Sequence, residues 1–470
     1  MRPQCLSLCA LIVLFTGCAT FDHRAGFDEV SATVQARSGK RAVWNLGTEL
    51  DAQVAQDVHA LLQNPLTADT AVQVALLNNR ELQAIYSELG VAQADLVQAG
   101  LLANPMFDGV IFFPLAGGPV DLELRAAQRF LDLFFLPLRK RVAKAQFDAA
   151  KLQVTGAVLD FAATVQSAFY RHQADEQRRE LLQTVAEALA SSLAIARRLH
   201  TAGNIPDLAL AREQAGAEEA KVQLRAAETT AQASREELNI FMGLWEQETA
   251  WHVERRLPAM PAESLPIEGL EARALRASID LASARQQMIA AGEAFGVSRA
   301  TALLPESSLG AGGKREDGAW KVGPVLEFPI PLFDQGQART GRSGVELRRA
   351  EQVYYALGVR IRATVRTVLE QMQSAEDRAR YYQDILLPLH ERIVSESQLH
   401  YNAMQLGVFD LFRAREQQIQ TALASLETLR DYWLARTALG QLLSGRLPRQ
   451  NGLTTGRRTQ PELRRENAGH

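Results

Sequence analysis

The chain has 470 residues, of which 22% are charged, and its formal net charge is −3 at pH 7. A chain of this length forms several domains or one elongated one. The small net charge excludes the basic surface typical of nucleic-acid-binding proteins, and no run of eighteen apolar residues follows the N-terminal segment, so no transmembrane helix is predicted.

Residues 1–17 have the pattern of a bacterial signal peptide. Arg2 supplies a positive charge, and the apolar stretch Leu6–Phe15 is too short to span a membrane. The sequence Leu14-Phe15-Thr16-Gly17-Cys18 resembles a lipobox, which predicts that Cys18 becomes the lipid-modified first residue of the mature chain. Cys5 and Cys9 would leave with the signal, so no internal disulfide is expected. The alternative is an ordinary signal peptide that contains a cysteine.

Residues 18–66 are polar and of mixed composition. We interpret them as a lipidated N-terminal extension with one helical segment around Asp51–Leu62. Asn64-Pro65 then breaks the chain, and Thr67 or Asp69 can cap the next helix. That helix is predicted to end near Asn104-Pro105.

Two stretches predict β-hairpins. In the first, Met106–Leu115 is rich in aromatic and β-branched residues, a Gly/Pro turn follows, and Asp121–Arg125 alternates polar with apolar residues. In the second, Ser307–Gly313 is a weak strand, and Trp320–Phe333 is the return strand. Apolar residues of the return strand, up to Leu332, alternate with other residues and so share one side, and three of them are predicted to face lipid. These are Leu326, Phe328 and Ile330.

A long helix is predicted after each hairpin, followed by a returning helix. The first long helix covers about Leu138–Ala202, which is on the order of 95 Å at 1.5 Å per residue. The second covers about Gln335–Leu406, with a break expected at Pro388. The returning helices are predicted at roughly Asp207–Met242 and Asp410–Leu443.

The first long helix carries two adjacent apolar seams with alternating steps of four and three residues. One seam contains Leu181, Val185, Ala188, Ser192, Ile195 and Leu199, and the other contains Leu182, Ala186, Leu189, Leu193, Ala196 and His200. Two seams predict a helix that packs against neighbours on both sides, as in a wall or tube. The alternative is one wide apolar face in a helical bundle.

A stretch of eight residues occurs twice. Asp207–Gln214 and Asp410–Gln417 share six of eight residues at an offset of 410 − 207 = 203. Upstream, Ala75–Leu82 resembles Ala274–Leu281 at an offset of 199. A duplicated unit of about two hundred residues is therefore predicted. The predicted organisation is a first repeat at 67–243, a linker at 244–269, a second repeat at 270–445 and a disordered polar tail at 446–470.

No catalytic residue, metal site or cofactor is predicted. His390 and His400 lie ten residues apart without a cysteine or a helical i, i+4 partner, which does not fit a zinc site. The glycine-rich stretch at 310–313 lacks the Lys-Ser/Thr of a phosphate-binding loop. No positive sign of an enzyme is present.

Together these features resemble the TolC-like outer-membrane efflux family over residues 66–445. The most specific elements are the duplicated helix–hairpin–helix unit, Leu101–Pro105 before the first strand, and Pro329–Gly336 after the last. Tyr401 and the nine-residue step from it to Asp410 also match. The lipobox resembles the lipoprotein branch that serves resistance-nodulation-division (RND) pumps.

The resemblance implies a mainly α-helical protein with a small membrane β part. Three chains, each giving four strands, would build a twelve-stranded β-barrel over an α-helical tube. The implied function is passive export through the outer membrane, with a periplasmic adaptor (membrane fusion protein) and an inner-membrane RND-type pump as partners. The alternative is a lipid-anchored periplasmic coiled-coil adaptor or scaffold without a pore, which does not need the two apolar hairpins.

The resemblance also implies roles for particular residues. Leu326, Phe328 and Ile330 would face lipid, and the duplicated motif would form the periplasmic entrance with Asp207, Asp410 and Arg413. Family members often carry a second Asp where this chain has Arg413, which can instead pair with Asp410 at i, i+3. The alternative is that Asp207 and Asp410 only cap the returning helices.

Overall fold

The computed structural model describes residues 22, 24–113, 115, 120–262, 266–302, 307–316, 318–328, 330 and 332–448. The predicted lipidation site Cys18 and the part of the predicted tail beyond residue 448 lie outside these residues. Within the described ranges, no helix combines the length and apolarity needed to cross a membrane.

The protein is mainly helical with one four-stranded antiparallel sheet, as the predicted fold class requires. The elements are α1 (Phe27–Ser38), α2 (Glu49–Leu62), α3 (Ala68–Asn78), α4 (Arg80–Ala99), β1 (Met106–Phe112), β2 (Asp121–Arg129), α5 (Leu131–Thr201), α6 (Asp207–Met242), a 3₁₀ turn (Glu246–Thr249), α7 (Leu270–Ala277), α8 (Ile279–Ala302), β3 (Ser308–Glu316), β4 (Ala319–Glu327), α9 (Gln337–Tyr381), a π-helical turn (Tyr382–Leu386), α10 (Leu387–Asn402) and α11 (Val408–Leu443).

The order of elements occurs twice. A short helix, a longer helix, a hairpin, a long helix and a returning helix make up α3 to α6 and again α7 to α11. The two short helices end alike. The backbone N–H of Leu82 donates to Asn79 Oδ1 (2.8 Å), and that of Leu281 donates to Ser278 Oγ (3.0 Å). Each polar side chain thereby caps the longer helix that follows.

Both returning helices end at a glycine that touches the first short helix of its own half. Gly243 and Gly445 have positive φ angles of 66° and 96°, which glycine adopts without strain. A Cβ on Gly243 would lie 3.0 Å from the Asn78 carbonyl oxygen, and a Cβ on Gly445 would collide with the carbonyl of Ala277. The same close backbone approach therefore occurs in both halves.

Arg446 joins the two halves just after the second of these glycines. Its guanidinium bonds Asp160 of α5 and Asp280 of α8, and its side chain is 18% exposed. Gln441 also donates to Asp160 Oδ1 (2.8 Å). Burial raises the pKa of Asp280, while the charge of Arg446 opposes that rise. Residues 446–448, predicted as the start of the tail, are part of this packed region.

The long helices differ in extent from the prediction. Helix α5 has 71 residues and spans about 105 Å at 1.5 Å per residue. It begins at Leu131, before Pro137, which lies inside it and removes one backbone hydrogen bond. In the second half, the break expected at Pro388 takes the form of a π-helical turn, after which α10 restarts with Pro388 as its second residue.

The N-terminal segment contains two helices where the sequence predicted one. Phe27 on α1 is 2% exposed and packs edge-to-face on Tyr86 of α4, with ring centroids 5.0 Å apart. Trp44 lies 5.6 Å from Phe27 in the same cluster. This segment belongs to the main hydrophobic core, because Val54 and Val58 of α2 are buried there as well.

The predicted linker is also packed. Trp251 is buried at 2% exposure, and its indole Nε1–H donates to Asn239 Oδ1 (2.7 Å). Val253 forms an isolated parallel bridge with Leu66, which ties the linker to the entry of the first repeat. The segment after α6 therefore closes over the core.

Helix α5 packs against two neighbours towards its C-terminal end, as its two seams predict. Leu182 shares an apolar cluster with Ala227 of α6 and Leu423 of α11. One turn along, Val185 does the same with Ala220 and Ile419. Small alanines on α6 let the helices approach closely. Contact of α5 with two neighbouring helices is confirmed, and the choice between two seams and one wide apolar face stays a prediction.

Strand β4 is shorter than predicted. It ends at Glu327, so the prediction that Phe328 and Ile330 belong to a strand is wrong, and only Leu326 of the three lies in β4. The physical reason is that β3 begins at Ser308, which pairs with Glu327, so no β3 residue is left to pair with Phe328. Strand β1 also ends earlier than predicted, and β2 and β3 extend further.

Candidate membrane sheet and helical tip

The sheet has the linear order β1-β2-β3-β4, and each neighbouring pair is antiparallel. Residues directly opposite one another share a face of an antiparallel sheet, and successive residues alternate between faces. The register therefore assigns every strand residue to a face. Among the described residues, β1 and β4 each have one edge without a strand partner.

One face of the sheet is apolar. It carries Phe107, Gly109, Ile111, Leu122, Leu124, Ala126, Gln128, Leu309, Ala311, Gly313, Arg315, Trp320, Val322, Pro324 and Leu326. Its large side chains are open to the surroundings in a single chain. Val322 is 77% exposed, Phe107 is 73% and Leu326 is 59%. A contiguous exposed surface of this kind needs a partner or a membrane.

The other face carries nine of the ten charged residues of the four strands. These are Asp108, Asp121, Glu123, Arg125, Arg129, Lys314, Glu316, Lys321 and Glu327. Some of them pair with one another across or along the strands. The Arg125 guanidinium lies 2.6 Å from a Glu123 carboxylate oxygen, and Lys321 Nζ lies 2.9 Å from Glu316. The sheet is thus amphipathic, with a charged and an apolar side.

The other end of α5 forms a tip far from the sheet. The connections from α5 to α6 and from α10 to α11 have the same backbone form, because Gly203 (φ 76°) and Met404 (φ 59°) occupy equivalent left-handed positions. The N–H of Asn204 donates to the Leu199 carbonyl (2.8 Å), and that of Gln405 donates to the His400 carbonyl (2.9 Å). Both connections are Schellman-type helix ends.

Asp207 contacts a histidine across its turn. The His200 Nε2 and Asp207 Oδ1 atoms lie 2.6 Å apart, and the Asp207 side chain is 97% exposed. Sequence reasoning missed His200 as a partner. No repeat in the sequence marks this partnership, because the equivalent of His200 in the second turn is Tyr401.

Asp410 pairs with Arg413 within the chain. An Arg413 guanidinium nitrogen donates to Asp410 Oδ1 (2.6 Å), and the two side chains are 74% and 46% exposed, respectively. Helix α11 begins at Val408, so Asp410 lies inside its first turn. The N-cap residues of α6 and α11 are Pro206 and Gly407, and neither makes a side-chain capping bond. Asp207 and Asp410 are therefore not N-cap residues.

The predicted membrane residues are all exposed in the single chain. Leu326 is on the apolar face of β4, and Phe328 (60% exposed) and Ile330 (68%) follow that strand. Apolar side chains also surround the start of α5, where Phe134 is 69% exposed. The apolar surface thus continues from the sheet to the adjoining helix end.

A buried polar group lies midway along α5. His172 is fully buried, and its Nδ1 lies 3.0 Å from Ser234 Oγ on α6. The Ser234 hydroxyl also lies 3.1 Å from the Ala231 carbonyl oxygen, to which it can donate. Burial lowers the pKa of His172 to about 4. No group of three or more His, Cys, Asp or Glu side chains in the described ranges could hold a metal ion.

The four-stranded amphipathic sheet, the long paired helices and the distal tip define the fold of the TolC-like outer-membrane channels. The predicted resemblance is confirmed at the level of fold. The Campylobacter jejuni outer-membrane channel CmeC has this architecture with a TM-score of 0.69 and 15% identity, over 82% of this chain and 86% of that one. CusC, whose crystal structures concern transmembrane channel formation, gives a TM-score of 0.66 and 16% identity, over 80% and 92%.

A relative by sequence is the cobalt-zinc-cadmium resistance protein CzcC of Cupriavidus metallidurans. The two are 23% identical over 398 residues, which is 81% of this chain and 90% of CzcC. No protein-family model matches the sequence.

Proposed function

We propose that the protein is the outer-membrane channel of a tripartite efflux system and serves as a passive conduit. The observation that carries the proposal is the sheet, which is apolar on one face and charged on the other. A sheet between lipid and a water-filled channel needs this division. The similarity to CmeC, CusC and CzcC supports the same function.

Three copies of the chain close the channel. Four strands are too few for a barrel, since single-chain outer-membrane barrels begin at about eight strands. The open edges of β1 and β4 let chains join edge to edge into a twelve-stranded barrel. The helices then continue the barrel as a tube, and α5 alone is long enough to carry the tip about 105 Å away.

The tip is the periplasmic entrance in this proposal. Asp207, Asp410 and Arg413 lie at the start of α6 and α11, directly after the two turns farthest from the sheet, where a tube of three chains narrows towards its axis. An adaptor and an inner-membrane pump of the RND type deliver substrate there. The protein itself needs no catalysis or cofactor, because the pump supplies the energy.

The lipid on Cys18 is a further part of the proposal. The lipobox carries it, and an acyl chain would hold the N-terminal segment at the outer membrane while the barrel crosses it. Metabolic labelling with radioactive palmitate should mark the natural protein and not Cys18→Ser. The Cys18→Ser protein is expected to trimerise still, since the barrel holds the assembly together. Equal labelling of both proteins would contradict the lipid anchor.

Two adjacent residues of β4 provide a matched test of the channel. Val322 is on the apolar face, and Gly323 is on the charged face, where an added Cβ would meet no atom within 4 Å. Val322→Arg places a charge against lipid and should cost about 2–4 kcal/mol per chain near the midplane. Gly323→Arg should insert normally and change only ion selectivity.

The measurements are heat-resistant trimer on gels and conductance in planar bilayers. The natural protein and Gly323→Arg should form trimers that conduct, and Val322→Arg should form few. Equal insertion of Val322→Arg, or a natural protein that never conducts, would overturn the proposal. The second result would favour the alternative of a periplasmic scaffold.

A further inference from the structure

One charged residue of the sheet, Arg315, lies on the apolar face. Arg315 of β3 is directly opposite Trp320 of β4 and next to the Leu122 position of β2, so it shares the apolar face with them. Its side chain is exposed. Its chain neighbours Lys314 and Glu316 lie on the charged face, where they approach each other to 3.4 Å. The ion pairs of the charged face therefore do not account for the position of Arg315.

The facing tryptophan does not cover Arg315. The Trp320 ring lies over Gly313, since a Cβ on that glycine would be 3.5 Å from the indole. The ring thus leans along the strand towards the helices and away from Arg315. Within the part of the chain that the structure describes, the Arg315 side chain makes no ion pair, hydrogen bond or cation–π contact.

The position of Arg315 is at one end of the apolar face. Strand β3 ends at Glu316, one residue further on, and the turn into β4 lies at the end of the sheet remote from the helices. A cation is costly at the centre of a bilayer and tolerated at its interfaces. Tryptophan is likewise typical of the interface, where its ring is apolar and its N–H is wet.

We propose that Arg315 binds the phosphate of a lipid headgroup in the membrane leaflet remote from the helices, with Trp320 packing beneath it on the acyl chains. This inference rests on the proposed membrane channel. A guanidinium suits the ligand, because its fork of N–H donors matches two phosphate oxygens at once. The charge of Arg315 complements the phosphate of the lipid, and the apolar surface around it complements the acyl chains.

The test compares two neighbouring cations of one strand. Trimers of the natural protein, Arg315→Gln and Lys314→Gln are purified in detergent and titrated with lipid A carrying both phosphates, and bound lipid is counted by native mass spectrometry. Removal of one charge-assisted contact should weaken retention about tenfold in Arg315→Gln. Lys314→Gln removes the same charge from the opposite face and should retain lipid normally. Arg315→Lys should bind between the two.

Controls separate the lipid phosphate from other ligands. Dephosphorylated lipid A should bind the natural protein no better than it binds Arg315→Gln, and excess inorganic phosphate should not displace the lipid, because the acyl chains hold it on the apolar face. Displacement by free phosphate would overturn the lipid assignment.

Two results would also overturn the inference. One is equal retention by the natural protein and Arg315→Gln, as expected if Arg315 pairs instead with Asp317, which lies outside the described residues. The other is equal loss in Lys314→Gln. Bilayer conductance of the same trimers separates a failure of this inference from a failure of the proposed channel. A conducting trimer with lipid retention independent of Arg315 overturns only this inference, whereas a natural protein without trimer or conductance overturns the channel.

Discussion

His172 shows how one buried residue makes the stability of the fold depend on pH. Its ring is enclosed by α5, α6 and the indole of Trp251, whose centroid is 5.4 Å away. The facing charged groups are Glu176 on its own helix and Arg235 on α6, and they act in opposite directions on its pKa. Burial outweighs both and holds the folded-state pKa at about 4.

We predict that acid destabilises the protein through His172. The unfolded chain takes up this proton as the pH falls below about 6.5, and the folded chain does so only near 4, so stability is lost as the pH falls through that interval. Between pH 7 and pH 5 the loss is on the order of 2 kcal/mol per chain. Urea unfolding at the two pH values measures it.

A matched pair of variants isolates this effect. His172→Gln should lower stability at both pH values, because it disturbs the Ser234 contact. It should also reduce the difference in stability between pH 7 and pH 5. His252→Gln changes an exposed histidine near the same helix and should leave the difference intact. An unchanged pH dependence in His172→Gln would contradict the assignment.

At the scale of elements, apolar periodicity predicted the long helices, but it did not predict where the strands end. The seams of α5 were visible because every fourth or third residue had to be apolar against α6 and α11. The ends of β1 and β4 depend on which N–H groups find a partner in the next strand, and those partners are distant in sequence. Helix α1 was missed because its buried residues, Phe27, Val30 and Val34, are few among polar ones.

Only some of the contacts at the tip could be predicted from the sequence. The repeated motif placed Asp207 and Asp410 at equivalent turns, and the i, i+3 spacing predicted the pair of Asp410 with Arg413 that the structure contains. The partnership of Asp207 with His200 depends on the path of the intervening turn. Spacing alone does not give that path, because Gly203 reverses the chain with a positive φ.

The pair of Asp410 and Arg413 leads to a prediction for conduction. Both side chains are largely exposed, so the pair contributes little to stability, and in the proposed channel it sets the charge at the entrance. We expect these pairs to hold the resting entrance closed, so Arg413→Asp should raise cation selectivity, and the double change Asp410→Ala with Arg413→Ala should loosen the closure. Planar-bilayer recordings of the trimer measure both.

Arg415 supplies the control for that experiment. It lies two residues further along α11, and its guanidinium donates to Gln418 (2.7 Å). Arg415→Asp makes the same charge change away from the pair and should alter selectivity less than Arg413→Asp. Recordings in which all three variants conduct like the natural protein would mean that the entrance is controlled elsewhere.

At the scale of the whole molecule, Arg446 connects the two halves through a site that is largely shielded from water. Asp160 belongs to the first half and Asp280 to the second, and their side chains are 13% and 18% exposed. One guanidinium forms ion pairs with two carboxylates there. The composition of the C-terminal region predicted only a tail, because the partners of Arg446 lie 286 and 166 residues away.

We predict that Arg446→Ala is strongly destabilising and that acid partly restores it. Removal of one partner from a buried ion pair typically costs about 3–5 kcal/mol, because the remaining charge is left without compensation. Burial already raises the pKa of Asp280, and without Arg446 that pKa rises further. The folded variant therefore binds a proton more readily than its unfolded chain and gains stability as the pH falls.

Urea unfolding at pH 7 and pH 5 tests this. The stability gap between the natural protein and Arg446→Ala should narrow at pH 5, and adding Asp280→Asn to Arg446→Ala should narrow it already at pH 7. A gap that stays constant with pH and is unaffected by Asp280→Asn would show that lost packing, and not uncompensated charge, causes the damage.

The open edges of β1 and β4 also have a genetic consequence. In the proposed trimer every chain offers both edges to its neighbours, so one defective subunit interrupts the ring. A cell that makes a damaged and an intact copy of the chain would then assemble mostly mixed rings. An allele that damages one edge but spares expression and the other edge, so that its product still joins intact chains, is therefore expected to be dominant over the natural allele.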